Sequence, residues 1–92
     1  MTPDAIMNDL AAGLRNFHGR EYYGTIDRDT LFFADLGLAS IDAVVLAERL
    51  EQWYGRKLPF HELLGNLKAR GMDDLPLGEI ADFVAAHAAA GE

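Results

Sequence analysis

Ser40 is the only serine among the 92 residues, and no cysteine is present. It stands where an apolar stretch, Leu36-Gly37-Leu38-Ala39, runs into an amphipathic helical pattern. A hydroxyl at a helix start can act as an N-cap by accepting from a free backbone N–H. It can equally be a point of attachment, with the positive end of the helix aimed at an esterified anion. The same position offers little to a hydrolase. Gly37-Leu38-Ala39-Ser40-Ile41 lacks the second glycine of a nucleophile elbow. His18, His61 and His87 are scattered over different elements and form no recognisable triad order with Ser40. Asp27-Arg28-Asp29 lacks the glycine and distal glutamate of an EF-hand loop, and Asp73-Asp74 reads as a helix cap before it reads as a metal site.

Composition limits the remaining classes. Without cysteine, a disulfide framework, a thiolate metal site and a cysteine nucleophile are all excluded. Fifteen acidic against eight basic side chains give a net charge of −7, which argues against nucleic acid or an anionic membrane as partner. No apolar run approaches the ~20 residues of a membrane span, and no basic, apolar leader opens the chain, so a cytoplasmic protein is expected. Half of the residues are apolar, enough for one small core.

Four helical patterns must position Ser40, and no convincing strand accompanies them. Thr2-Pro3 reads as an N-cap and first helical residue. Ile6, Leu10, Gly13, Leu14 and Phe17 then share a stripe, predicting a helix over about 3–18 that Gly19 ends. Residues 19–39 form a long connection whose Tyr22, Tyr23, Ile26, Leu31, Phe32, Phe33 and Leu36 are expected to pack onto the core. A connection of that length in so small a domain points to function. The second helix, about 40–54, closes at Gly55. Ala43, Leu46, Ala47, Leu50, Trp53 and Tyr54 fall on one side of it and should face the core. Ile41, Val45, Glu48 and Gln52 then face outward, with two β-branched apolar residues where solvent is expected. A patch on which a partner docks explains them; cover by the long loop is the other reading.

Pro59 breaks the chain before a third helix, about 60–70, on which Phe60, Leu63, Leu64 and Leu67 repeat at helical spacing. Lys68, Arg70 and Gly71 suit its end. Asp73 or Asp74 can cap the last helix, about 76–88, with Pro76 in its first turn and Leu77, Ile80, Ala81, Val84 and Ala88 buried. The tail from Ala89 to Glu92 has nothing to pack against and is expected to fray. The whole chain reads as a single domain, residues 1–92.

The stretch Phe32-Phe33-Ala34-Asp35-Leu36-Gly37-Leu38-Ala39-Ser40-Ile41-Asp42-Ala43-Val44 resembles the attachment motif of acyl and peptidyl carrier proteins. Leu50-Glu51 and Tyr54-Gly55-Arg56-Lys57-Leu58-Pro59 are similar to that family's end of the second helix and following turn. Leu77-Gly78-Glu79-Ile80-Ala81-Asp82-Phe83-Val84 is similar to its last helix. Order and spacing agree over most of the chain. The resemblance implies an all-α four-helix bundle with a long loop between the first two helices. It implies phosphopantetheine on Ser40, donated from coenzyme A by a phosphopantetheinyl transferase.

Acyl or aminoacyl groups would then ride on the arm as thioesters, which a chain without cysteine needs a cofactor to carry. Such a protein is no enzyme. Its expected partners are the transferase, an acyl- or aminoacyl-loading ligase and an acyl-accepting synthase or transferase, which it would meet as a freestanding monomer. The expected docking residues are Asp35, Leu38, Ala39, Ile41, Asp42, Val45 and Glu48. The apolar Ile41 and Val45 favour secondary metabolism or aminoacyl transfer over a fatty-acid pathway. Two features depart from the family pattern: Ala39 stands where an Asp usually precedes the serine, and the segment Phe60–Asp74 exceeds the usual short third helix. A small helical interaction module, with Ser40 as a mere N-cap, is the alternative.

Overall fold

The computed structural model describes residues 2–17 and 19–90, the side chains of 88–90 excepted. The place of His18, the expected burial of the Ala88 side chain and the expected fraying of Gly91 and Glu92 therefore lie outside what is described, whereas the backbone of Ala89 and Ala90, also expected to fray, is helical. Four helices carry the architecture among the described residues: α1 (Pro3–Leu14), α2 (Ser40–Tyr54), α3 (Phe60–Ala69) and α4 (Leu77–Ala90). Two short strands, β1 (Asn16–Phe17) and β2 (Arg20–Glu21), stand between the first two helices.

Helix α1 starts as its sequence dictates. Thr2 is extended (φ −110°, ψ 155°), its Oγ1 accepts from the Ala5 N–H at 3.2 Å, and Pro3 takes the first helical position. Its end differs from the expected residue 18. The chain leaves the helix after Leu14 and pairs Asn16 with Glu21 and Phe17 with Arg20 in an antiparallel ribbon. Gly19, at φ +80°, lies in the turn between them. The Arg15 guanidinium donates to the carbonyls of Tyr22 and Gly24, and the Tyr22 N–H donates to the Arg15 carbonyl, which fixes the departure. Phe17 still reaches the core, from a strand rather than a helix. The Arg49 guanidinium of α2 lies 5.0 Å from its ring centroid, within cation–π range.

One apolar cluster holds the molecule together. Ile6 and Leu10 of α1, Phe32 of the long connection, Leu50 of α2 and Leu77 and Val84 of α4 are all fully enclosed. Helix α1 packs against α4. The connection is tied to the start of α4 by backbone bonds, Leu77 N–H to Thr30 O at 3.0 Å and Gly78 N–H to Arg28 O at 2.9 Å. Gly78 permits this approach, because a Cβ there would stand 2.9 Å from the Cβ of Arg28. The Arg28 guanidinium then reaches Asp82 at 2.6 Å, which raises its pKa further, first through that hydrogen bond and then through the opposite charge.

Helix α2 closes at Gly55 (φ +67°) and α3 at Gly71 (φ +77°), as their sequences require. At the second, the Met72 N–H reaches back to the Leu67 carbonyl at 2.9 Å. Several apolar residues expected inside are not. Tyr23 is 86% exposed and donates from its hydroxyl to Glu21, while Trp53 and Leu64 are each 46% exposed. None of the described helices is long and apolar enough to cross a membrane.

Candidate functional site

Ser40 is positioned by a compact turn immediately before it. Residues 31–38 form a helical turn in which the Asp35 and Leu36 amides bond to the Leu31 carbonyl, at 3.0 and 3.1 Å. The Gly37 amide follows to Phe33 O at 3.0 Å and the Leu38 amide to Phe32 O at 3.4 Å. Phe32 and Leu36 are both buried, so the turn is anchored by its side chains, and the Phe32 ring stands edge-on to Phe33 at 5.2 Å. Upstream, the Thr30 hydroxyl oxygen accepts from the Asp27 N–H at 2.8 Å, and the Asp27 carboxylate accepts from the Asp29 N–H at 2.9 Å. Asp27 is thus a turn former. Gly37, at φ +68°, then redirects the chain into α2.

The N-cap of α2 is Ala39, not Ser40. Ala39 is extended (φ −108°, ψ 172°), and its carbonyl accepts from the Asp42 and Ala43 amides at 3.0 and 3.3 Å. Ser40 is the first residue of the helix proper. Its hydroxyl is exposed and has no hydrogen-bond partner among the described residues. The capping work falls to Asp42, whose carboxylate accepts from the Ala39 N–H at 2.8 Å. This is one half of a capping box; alanine has no side-chain oxygen with which to supply the other. The Ser40 and Ile41 amides point out of the helix start without an intrahelical acceptor.

The seven expected docking residues divide on burial. Ile41 is 64% exposed, and Ala39, Asp35 and Glu48 are also exposed. The Asp35 carboxylate accepts from the Leu31 N–H at 2.7 Å, so it serves the turn even though it is accessible. Leu38 belongs to the core, and Asp42 is buried as the helix cap, so neither side chain can form an outer surface. Val45 is half-buried and packs against the core. Val44, which sequence reasoning passed over, is exposed in its place. Its spacing of three from Ile41 was the available signal.

A cavity of about 570 Å3 opens beside Ser40. Phe33 of the turn, Val44 and Leu46 of α2, Phe60 and Leu64 of α3 and Ser40 itself help to line it. Its walls are chiefly apolar. His61 of α3 shares this cavity with Ser40, but no hydrogen bond joins them among the described residues, and His87 lies on α4 with its Nδ1 3.0 Å from the Phe83 carbonyl. Asp74, expected as a possible cap for α4, points the other way. Its carboxylate accepts from the Phe33 N–H at 2.9 Å and the Ala34 N–H at 3.0 Å, in the turn ahead of Ser40.

A family model described as phosphopantetheine attachment site matches residues 24–72, more than half of the chain. The matched span runs from the long connection through the turn, Ser40 and α2 to the end of α3. No curated protein and no solved structure matches the chain.

Proposed function

Because the chain belongs to the phosphopantetheine attachment-site family, we propose that Ser40 is the residue that takes the group. Members of this family hold phosphopantetheine covalently and are carriers rather than catalysts. They meet a phosphopantetheinyl transferase and the enzymes of a biosynthetic route. When bound, the group supplies a thiol on which acyl groups are held as thioesters.

The observation that carries the assignment is the state of the Ser40 hydroxyl. It is exposed, free of hydrogen bonds among the described residues, and seated at the first position of α2. Its oxygen would attack the phosphorus of coenzyme A that bears the pantetheine arm. The bond to the adenosine bisphosphate leaving group breaks, and the hydroxyl proton passes to a base of the transferase. The resulting phosphodiester is an anion beside the Ser40 and Ile41 amides, which have no acceptor among the described residues, an arrangement worth ~0.3–1 kcal/mol at a helix N-terminus. Ser40 has no capping bond to give up in the exchange.

The carried group is an acyl or aminoacyl thioester passed between a loading ligase and an accepting synthase or transferase. The apolar cavity beside Ser40 favours a group with an apolar body. The exposed pair Ile41 and Val44 gives the docking surface a dry character, which favours partners of secondary metabolism. Incubation with coenzyme A and a broad-specificity transferase tests the assignment by intact mass. The parent should gain the mass of one arm and Ser40→Ala none. A Ser40→Ala protein that still gained the arm would sink it.

A further inference from the structure

Amides at the head of a helical turn have no acceptor within that turn and must find one elsewhere. Four successive amides, those of Leu31, Phe32, Phe33 and Ala34, head the turn that precedes Ser40, and each has an identified acceptor. The Asp35 carboxylate takes Leu31 at 2.7 Å, and the Leu75 carbonyl takes Phe32 at 3.1 Å. Asp74 Oδ1 takes Phe33 at 2.9 Å and Asp74 Oδ2 takes Ala34 at 3.0 Å. Three of the four acceptors therefore come from two adjacent residues of the link between α3 and α4. Asp74 Oδ1 also accepts from the Leu75 N–H at 2.7 Å, which holds the carboxylate in this orientation. Leu31 and Pro76 form an isolated antiparallel bridge beside it.

We propose that Asp74 is a positioning residue for group transfer to Ser40, an inference that rests on the reading of Ser40 given above. Its carboxylate presents two acceptors side by side to two successive amides, a pattern no other side chain in the link reproduces. Fixing Phe33 and Ala34 fixes the turn, and with it the left-handed Gly37 and the extended Ala39 through which the chain enters α2. Phe33 and Leu75, one on each side of this clamp, also line the cavity beside Ser40. The link between α3 and α4 thus sets both the presentation of the hydroxyl and one end of the adjoining cavity. Asparagine would keep one acceptor but turn an NH2 group towards the second amide, so Asp74→Asn should loosen the turn without removing bulk.

The test compares the parent, Asp74→Asn and Leu67→Ala, the last a buried α3 residue with no bond to the turn. Transfer from coenzyme A by one transferase is followed at a temperature where all three are folded. Asp74→Asn should lower kcat/KM by roughly tenfold, chiefly through KM, because a displaced hydroxyl is met less often in the productive pose. Leu67→Ala should match the parent. Equal kcat/KM for parent and Asp74→Asn, or an equal loss in Leu67→Ala, would overturn the positioning role. Hydrogen exchange in the parent gives a second check that survives a variant failing to fold: the Phe33 and Ala34 amides should be protected like helix amides. Exchange at the rate of open loop amides would remove the clamp. A parent that accepts no arm at Ser40 would instead refute the functional reading on which this rests.

Discussion

The Asp42 carboxylate accepts a hydrogen bond from the Ala39 N–H at 2.8 Å, which makes it the cap of the helix that begins at Ser40. Asp42 is buried, and its removal would take from the partly buried Ala39 N–H the charged acceptor it has here. Asp42→Ala should therefore cost ~1.5–3 kcal/mol, the usual range for a hydrogen bond to a charged group. Thermal melting reads this directly. A variant that melted with the parent would mean that the Ala39 amide finds water or another acceptor.

The other half of the same capping arrangement is missing, because Ala39 has no side-chain oxygen. A serine at this position could accept from the Asp42 amide while keeping the extended backbone. Ala39→Ser should raise stability by ~0.5–2 kcal/mol, the reverse of the usual cost of replacing a cap by alanine. Serine is preferable to aspartate here, since a second carboxylate would face that of Asp42. Denaturant midpoints of the two proteins provide the comparison, and an unchanged or lowered midpoint would count against a vacant cap.

Phe32 is fully enclosed and anchors the turn before Ser40. Phe32→Ala should cost ~3–5 kcal/mol, the range for deleting a buried aromatic ring. That is a large part of the ~5–15 kcal/mol that a domain normally possesses. Calorimetry should find a much lower melting temperature. Parent-like melting would show that the turn repacks around the void.

Features that depend on neighbouring residues were legible in the sequence. The start of α1 at Thr2-Pro3, the glycine stops at positions 55 and 71 and the burial of Phe32 all followed from local spacing and backbone preference. The end of α1 did not, because Phe17 fits the helical stripe yet is delivered to the core by a strand pairing downstream. The misplaced face of α2 has a single origin. Asp42 carries a charge and was expected outside, so the buried face was centred on Leu46, Ala47 and Leu50 rather than on Asp42, Leu46 and Leu50. At 100° per residue this rotates the helix by roughly 40°, enough to exchange Val44 with Val45. Asp74 was illegible for a related reason. Its partners are backbone amides 41 and 40 residues away, which no side-chain pattern records.

That rotation yields a prediction about docking. Val44 is 53% exposed beside Ile41, whereas Val45 packs against the core. Val44→Glu should change stability by no more than ~0.5 kcal/mol, as surface substitutions generally do. It should nevertheless weaken binding to an enzyme that receives the arm, by placing a charge in an apolar contact. Val45→Glu should instead cost about 2 kcal/mol or more through partial burial of that charge. Melts and affinities of both variants decide the matter. A stable Val45→Glu or a tight-binding Val44→Glu would restore the unrotated face.

The Tyr54 hydroxyl donates to Asp9 Oδ2 at 2.8 Å and ties the end of α2 to α1. Its pKa lies well above the ordinary tyrosine value, first because burial opposes the phenolate and then because the Asp9 carboxylate accepts the hydroxyl proton. In the unfolded chain Tyr54 ionises near pH 10, while in the folded protein it stays protonated at that pH. Above pH 10 the unfolded state therefore binds fewer protons than the folded state, and stability falls as pH rises. The contribution is fully present at neutral pH and is lost progressively towards the raised folded pKa. Tyr54→Phe has no proton to lose, so its alkaline decline should be shallower than that of the parent. It should also be somewhat less stable near pH 7, where Asp9 loses its donor. Urea unfolding at several pH values between 7 and 11 measures both effects. Parallel alkaline slopes for the two proteins would show that the Tyr54 proton is not held by folding.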